Sequence, residues 1–427
     1  MGQYAIPDLS DSIKMINLTS QREKINRLIE QNLPQTNVVR EIFSSINSLD
    51  SKAVGALYRA LDFEFNNSEY SREEHLNDLY IFDNNLKNIF SAILGAQLDI
   101  SPLINDVSPS LFDRNKLLEN QRLKELLEMG YVLSPYKLRD EKISEIYRGI
   151  QDLKFINRGI YHQEFLGKEI ISNLPSEKKL RKLLGKNGDT LWIKDQNDLV
   201  GRDIFQKIAF DPYLVSMASR YLGCCPVHVQ TNIWFSFPTY GSTANKSLNG
   251  QLFHQDKEFI KFLKVFIYLT DVNENNGAHC YVESSHADEA HEYGLKLSDR
   301  FSDEQVIQVY GAHRIKKLMG SAGTIAFGDT SSMHKGLPIV SGHRAILQIE
   351  YASSLYLSPV LYFSNFQSLR SDSFSKVFWS RLTKNYCDKK KLVKKINQNP
   401  TPSMAVWHLK SFLKLMIRNL SFFKHPK

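Results

Sequence analysis

The stretch 227–237, VHVQTNIWFSF, alternates along its length. Val227, Val229, Thr231, Ile233, Phe235 and Phe237 fall on one side, and His228, Gln230, Asn232, Trp234 and Ser236 on the other. A period of two predicts a half-buried strand. KVFIYLTDV (264–272) is more uniformly apolar, as a strand covered on both faces would be. NENNG (273–277) reads as a Gly-closed turn leading into AHCYVESSH (278–286). GTIAFGD (323–329) and HRAILQIEYAS (343–353) predict two further strands. Upstream the period lengthens. SQREKINRLIEQNL (20–33), opening at Ser20, places Ile25, Leu28 and Ile29 on one helical stripe, and NLKNIFSAILGAQLDI (85–100) does the same with Leu86, Ile89, Phe90 and Ile93. From Asn120 the chain reads helix, stop at Gly130, short strand, helix. DIFQKIAFDPYLVSMASRYLG (203–223) predicts one helix capped by Gly223. A run of helices followed by a run of strands predicts an α+β protein, a β-sandwich or barrel with helices packed outside.

Composition narrows the class. The chain has 427 residues, 42% hydrophobic and 23% charged, as ordinary globular proteins do. Cys224, Cys225, Cys280 and Cys387 form no zinc-ribbon spacing, which favours free thiols in a reducing compartment. The opening MGQYAIPDLSDS lacks a basic region followed by an apolar run, so no signal peptide is expected, and Ile6 breaks the myristoylation pattern. No uncharged apolar run approaches the ~18 residues of a membrane span. The expected location is the cytoplasm. A formal charge of +8 is mild for this length; it allows an acidic substrate and does not call for nucleic acid.

The chemistry gathers late in the chain. Seven of the twelve histidines lie between 254 and 344. On a strand, residues two apart share a face, so His254 and Asp256 of FHQD (253–256) aim an imidazole and a carboxylate at one point, with Gln255 turned away. One more imidazole would complete a two-His, one-carboxylate face, the arrangement of non-haem Fe(II) oxygenases. The best third ligand is His334, in the loop after strand 323–329. Ten residues on, Arg344 offers a planar fork that pairs a carboxylate at two points. A metal face and a nearby arginine can hold a 2-oxo acid at both ends. On the polar side of strand 227–237, Gln230 and Asn232 are candidates to hydrogen-bond co-substrate or substrate, and equally suit an ordinary barrel lining.

The ordered series FHQD, LTDVNENNGAHCYVESSH, GSAGTIAFGD and MHKGLPIVSGHRAILQIEY resembles the phytanoyl-CoA dioxygenase family of Fe(II)- and 2-oxoglutarate-dependent oxygenases. The likeness extends upstream through MGYVLSPYKLRDEKISEIYRGI and covers roughly 118–360. It implies a double-stranded β-helix (jelly-roll, cupin-like) core, with His254, Asp256 and His334 as iron ligands and Arg344 on the distal carboxylate of 2-oxoglutarate. Ser341 falls where the family often carries a Ser or Thr that assists. Asn276-Gly277 matches a structural turn, and His286 ends a Ser-Ser-His stretch read as structural. The implied reaction consumes 2-oxoglutarate and O2, releases succinate and CO2, and hydroxylates a C–H bond of a small-molecule, acyl, sugar or lipid-linked substrate. Because Asp256 is retained, halogenase chemistry is disfavoured. Lys335, where small residues are common, is expected to face solvent, and His279 to be a satisfied core or surface residue. Two other functions suit the residues alone: a non-catalytic jelly-roll binding protein, and a metal-dependent isomerase or hydrolase using the same three side chains.

Three segments follow: a helical extension over 1–117, the oxygenase domain over 118–360, and a basic helical segment over 361–427. The insert 287–320 carries His291, Tyr293, Arg300, Tyr310, His313, Arg314, Lys316 and Lys317. It would overhang the site and suit an acidic substrate group, or be a solvated loop. Near the C-terminus, Lys410, Lys414 and Arg418 form one basic stripe among Trp407, Phe412, Leu413 and Ile417. Such a helix over 404–423 suits peripheral contact with the inner membrane face, with a lipid- or glycan-linked substrate; docking on the protein's own core is the favoured alternative.

Overall fold

The computed structural model describes residues 9–33, 37–68, 70–105, 110–157, 160–184, 190–238, 250–286, 300–356 and 374–386. The protein is a mixed helix-and-sheet structure in which every strand pair among the described residues is antiparallel. The strands are β1 (Tyr131–Lys137), β2 (Lys154–Asn157), β3 (Ile160–Leu166), β4 (Thr190–Ile193), β5 (Val227–Ser236), β6 (Phe262–Tyr268), β7 (His279–Val282), β8 (Ile315–Leu318), β9 (Thr324–Gly328), β10 (His334–Gly336) and β11 (Arg344–Ala352). Eight form one sheet in the order β1-β9-β6-β11-β5-β4-β2-β3, and three form a second in the order β10-β7-β8.

The large sheet has two unlike faces because β11 alternates. Ala345, Leu347, Ile349 and Tyr351 turn to a hydrophobic cluster shared with the helices, while Arg344 and Gln348 turn to a cavity between the sheets. That cluster runs from Ile25 to Leu382, so the helices before residue 118 share their core with the sheet. Polar ties reinforce the contact. Asp78 takes both Arg59 and the Tyr356 hydroxyl, and buried Glu64 takes Ser354, Arg381 and Lys384. Among the described residues, Cys224, Cys225 and Cys280 are buried and joined in no disulfide.

Local signals in the sequence set several boundaries. Gly130 and Gly223 end their helices in the left-handed conformation, with φ of 83° and 75°, each amide donating back to a carbonyl one turn earlier. Other boundaries move. The first helix spans Leu9–Asn32 rather than beginning at Ser20. The stretch 203–223 is two helices, Asp203–Ala209 and Pro212–Leu222, because Pro212 cannot continue a helix but suits its first turn, with Asp211 accepting from the Tyr213 amide as N-cap. The alternation along the sequence does not announce β2, β3 and β4; β2 and β4 have only four residues each, and two helices separate β3 from β4. In β5 the polar side holds only from Gln230 onward. Pairing with β11 skips from Gln230 to His228, so Val229 bulges and the faces exchange. His228 turns to the helix side, bonding Thr231 and Tyr386, while Val227 and Val229 join Phe259 and Phe262.

Candidate metal centre

His254 and Asp256 do not lie on a regular strand. His254 makes an isolated bridge with His334, their amides and carbonyls exchanging hydrogen bonds of 2.9 Å in both directions. His334 is not in a loop either; it opens β10, paired opposite Tyr281. The Asp256 amide donates to the Thr330 carbonyl at 2.8 Å, and the Gln255 side chain to the Ser331 carbonyl at 2.6 Å. Gln255 is not among the walls of the site's cavity, and its side chain fastens the segment that leads into His334.

The two imidazoles are set by backbone. Nδ1 of His254 lies 2.8 Å from the Leu252 carbonyl, and Nδ1 of His334 lies 2.9 Å from the Ser332 carbonyl. A carbonyl only accepts, so each Nδ1 carries the proton and each Nε2 presents its lone pair. Burial lowers the pKa of both rings, His254 to about 3, which keeps them neutral. Nε2 of His254 is 3.7 Å from Oδ1 of Asp256, and Nε2 of His334 is 3.6 Å from Oδ2. The three ligand atoms lie within 4.8 Å of one another. Atoms each about 2.1 Å from a common ion sit about 3 to 4 Å apart, so the donor set fits one metal.

Asp256 has an anchor that the pattern did not reveal. Lys264 of β6 places Nζ 2.8 Å from Oδ2 of Asp256 and 3.1 Å from Glu258, with Glu350 at 3.9 Å. Burial alone would lower the Lys264 pKa; the carboxylates around it hold it well above its usual value. Burial would likewise raise Asp256, and Lys264 keeps it ionised. Lys264 opens the run 264–272, where near-uniform hydrophobicity suggests a strand covered on both faces. Its register with Gly328 and Glu350 turns it to the cavity. Replacing it by Met in Lys264→Met frees Asp256 to rotate, and Fe(II) affinity is expected to fall about 10- to 100-fold. Calorimetric titration of Fe(II) without oxygen reads this; unchanged affinity would remove Lys264 from the site.

Arg344 faces the same cavity from β11, in register with Ser236 of β5. Its guanidinium donates to the Gly277 carbonyl and approaches the Ser236 hydroxyl at 3.4 Å, while its Nε is buried without a hydrogen-bond partner. No described carboxylate forms an ion pair with it. Burial pulls its pKa down to about 10, which still leaves it charged at neutral pH. Gly277, at φ of 91°, passes close by; a Cβ there would come 2.5 Å from Ile339 and 3.2 Å from the Arg344 guanidinium. Asn276 closes that turn by bonding the Asn273 amide and the Asp271 carbonyl.

The cavity measures about 290 Å³ and takes lining from both sheets, including Gln230, Asn232, His254, Asp256, His334 and Arg344. Ser341 is not among its walls; it is exposed in a turn, its amide donating to the Asn275 carbonyl. His279 is a wall residue, buried beside Arg344 with its Nδ1 unpartnered, rather than a satisfied core histidine. Lys335 is buried rather than solvated, paired with Asp303 and lying 4.6 Å over the Phe253 ring. His286 bonds the Leu127 carbonyl. Of the insert, Arg300 reaches the cavity, whereas Lys316 and Lys317 pair with Glu283 and Glu274 and Arg314 bonds the Glu283 carbonyl. The 404–423 stretch, His291 and Tyr293 lie outside the described residues. Among the described residues no helix is long and apolar enough to cross a membrane.

A three-donor metal face and an unpaired buried arginine in one cavity define a metal- and 2-oxo-acid-dependent oxygenase. The family model for phytanoyl-CoA dioxygenase matches residues 127–346, just over half of the sequence, and the chain belongs to that family. It is an Fe(II)- and 2-oxoglutarate-dependent oxygenase. No curated protein matches the chain. Among solved structures it is similar to AviO1 from Streptomyces viridochromogenes Tue57, at 14% identity over 55% of this chain and 94% of that one, TM-score 0.34. It is also similar to HygX from Streptomyces hygroscopicus, solved with nickel, 2-oxoglutarate and hygromycin B, at 13% identity over 54% and 86%, TM-score 0.35. Likenesses this remote carry no argument about substrate.

Proposed function

We propose that the protein hydroxylates an unactivated C–H bond of a small molecule, consuming 2-oxoglutarate and O2 and releasing succinate and CO2. The observation that carries this reading is Arg344, a buried guanidinium without a carboxylate partner among the described residues, opening onto the cavity that holds His254, Asp256 and His334. A buried cation left unpaired is costly, and a dicarboxylate ligand compensates it. An isomerase or hydrolase that takes no 2-oxo acid would leave that charge to be met by an anionic group of its own substrate.

In this reading His254, Asp256 and His334 hold the iron, and the two sheets are the halves of a double-stranded β-helix. Iron with 2-oxoglutarate supplies the oxidative decarboxylation and the oxygen delivered to substrate. The chain supplies position. Backbone carbonyls hold both imidazoles in the ligating tautomer, Lys264 steadies Asp256, and Arg344 takes the far carboxylate of the co-substrate, with His279 beside it. Asn232, its Oδ1 buried and unpartnered, offers a hydrogen bond to whatever lies between these groups. The cytoplasmic location and the peripheral membrane contact through 404–423 stay part of the proposal, supported by the sequence alone.

The test is succinate release under 18O2 with candidate substrates, read together with the mass of the product. Incorporation of one labelled oxygen per succinate coupled to product is expected. Substrate conversion with no gain of oxygen would turn the reading toward epimerisation or ring closure by the same centre.

A further inference from the structure

We infer that the substrate is a neutral, hydroxyl-rich ring of the sugar or cyclitol kind and not a hydrocarbon chain, an inference that rests on the oxygenase reading of the site. The wall of the large sheet is graded. Register places Arg344 beside Ser236, Ile346 beside Trp234, Gln348 beside Asn232 and Glu350 beside Gln230. The row at Arg344 is the end assigned to the co-substrate. Next comes an aromatic band, in which Trp192 and Trp234 stack with ring centroids 4.6 Å apart and both face the cavity. The far end is polar. Gln348 donates to Gln230 at 2.6 Å, Thr330 leaves a fully buried hydroxyl without a hydrogen-bond partner, and Glu258 stands at the rim.

An alkyl chain laid there would desolvate these groups and return nothing, at about 1–3 kcal/mol for each buried group left unpaired. Amides and a hydroxyl both donate and accept, which matches substrate hydroxyls, groups that also do both. Charge argues for a neutral ligand. Lys264, Asp256 and Glu258 already neutralise one another in the lining, so they offer no unspent charge to a substrate ion. The indole pair offers a flat apolar surface for the C–H face of a ring, while the amides take its edge. Sites built to bond a hydroxyl reject analogues that lack it far more strongly than apolar pockets reject an extra group.

Saturation-transfer NMR on the metal-free full chain tests this with myo-inositol and octanoate as probes. Saturation of myo-inositol is expected, undiminished by added 2-oxoglutarate, and reduced several-fold in both Gln348→Leu and Thr330→Val. The second substitution keeps side-chain shape, so a fold lost in the first does not cost the result. Saturation of octanoate in place of myo-inositol, of neither probe, or of myo-inositol equally in wild type and both variants would overturn the inference. Iron takes no part in this measurement, so its outcome and that of iron binding are read separately.

Discussion

Arg344→Ala is expected to leave an iron-binding protein with almost no hold on 2-oxoglutarate. A two-point, charge-assisted pair in a buried site contributes about 3 kcal/mol, on the order of 100-fold in the concentration of 2-oxoglutarate needed for half-maximal succinate release. Fe(II) affinity is expected to change little, because the guanidinium bonds the Gly277 carbonyl and Ser236 rather than any of the three metal donors. Arg344→Lys keeps the charge but loses the planar fork, so it should fall between the two. Titrating succinate release against 2-oxoglutarate, with Fe(II) binding measured in parallel, checks both. An unchanged 2-oxoglutarate requirement in Arg344→Ala would detach the arginine from the co-substrate.

Glu64→Ala is expected to produce the largest loss of stability. Glu64 is buried in the helix Ser51–Asn66, where its carboxylate takes Lys384 at 2.8 Å as well as Arg381 and Ser354. Removing it leaves two cations around a buried void, at about 3–5 kcal/mol. Burial by itself would raise the Glu64 pKa, but Arg381 and Lys384 hold it at about 2, below the usual 4.5. A depressed carboxylate stabilises the fold fully above its unfolded value, and that contribution disappears as pH falls through the folded value. Wild type should therefore lose stability from pH 4.5 down toward about 2 more steeply than Glu64→Ala does. Denaturant unfolding across that range reads both effects. A variant as stable as wild type would show that the N-terminal helices hold to the core without this cluster.

The metal face was legible because its spacing is local: His254 and Asp256 are two apart, and the ordered series after them fixed His334 and Arg344. What could not be read locally was how these residues are held. His254 and His334 meet through a backbone bridge between segments eighty positions apart, not through a continuous strand. Lys264 was hidden because hydropathy averages over a strand, while register decides which single residue turns inward. The exchange of faces at Val229 came from a bulge, which alternation cannot announce. Ser341 fell short for the opposite reason: family position suggested a role, but the turn that brings Arg344 inward leaves Ser341 exposed. Pro212, by contrast, was a local signal for the break between two helices, and a continuous apolar period obscured it.

The most direct measurement is the visible absorption that develops when Fe(II) and 2-oxoglutarate are added together without oxygen. The full-length protein should develop a weak visible charge-transfer band that needs both components, is lost in His254→Ala through lost iron, and is lost in Arg344→Ala through weakened 2-oxoglutarate binding. Absence of the band in the intact protein, at concentrations where both components are in excess, would contradict a centre built from His254, Asp256, His334 and Arg344.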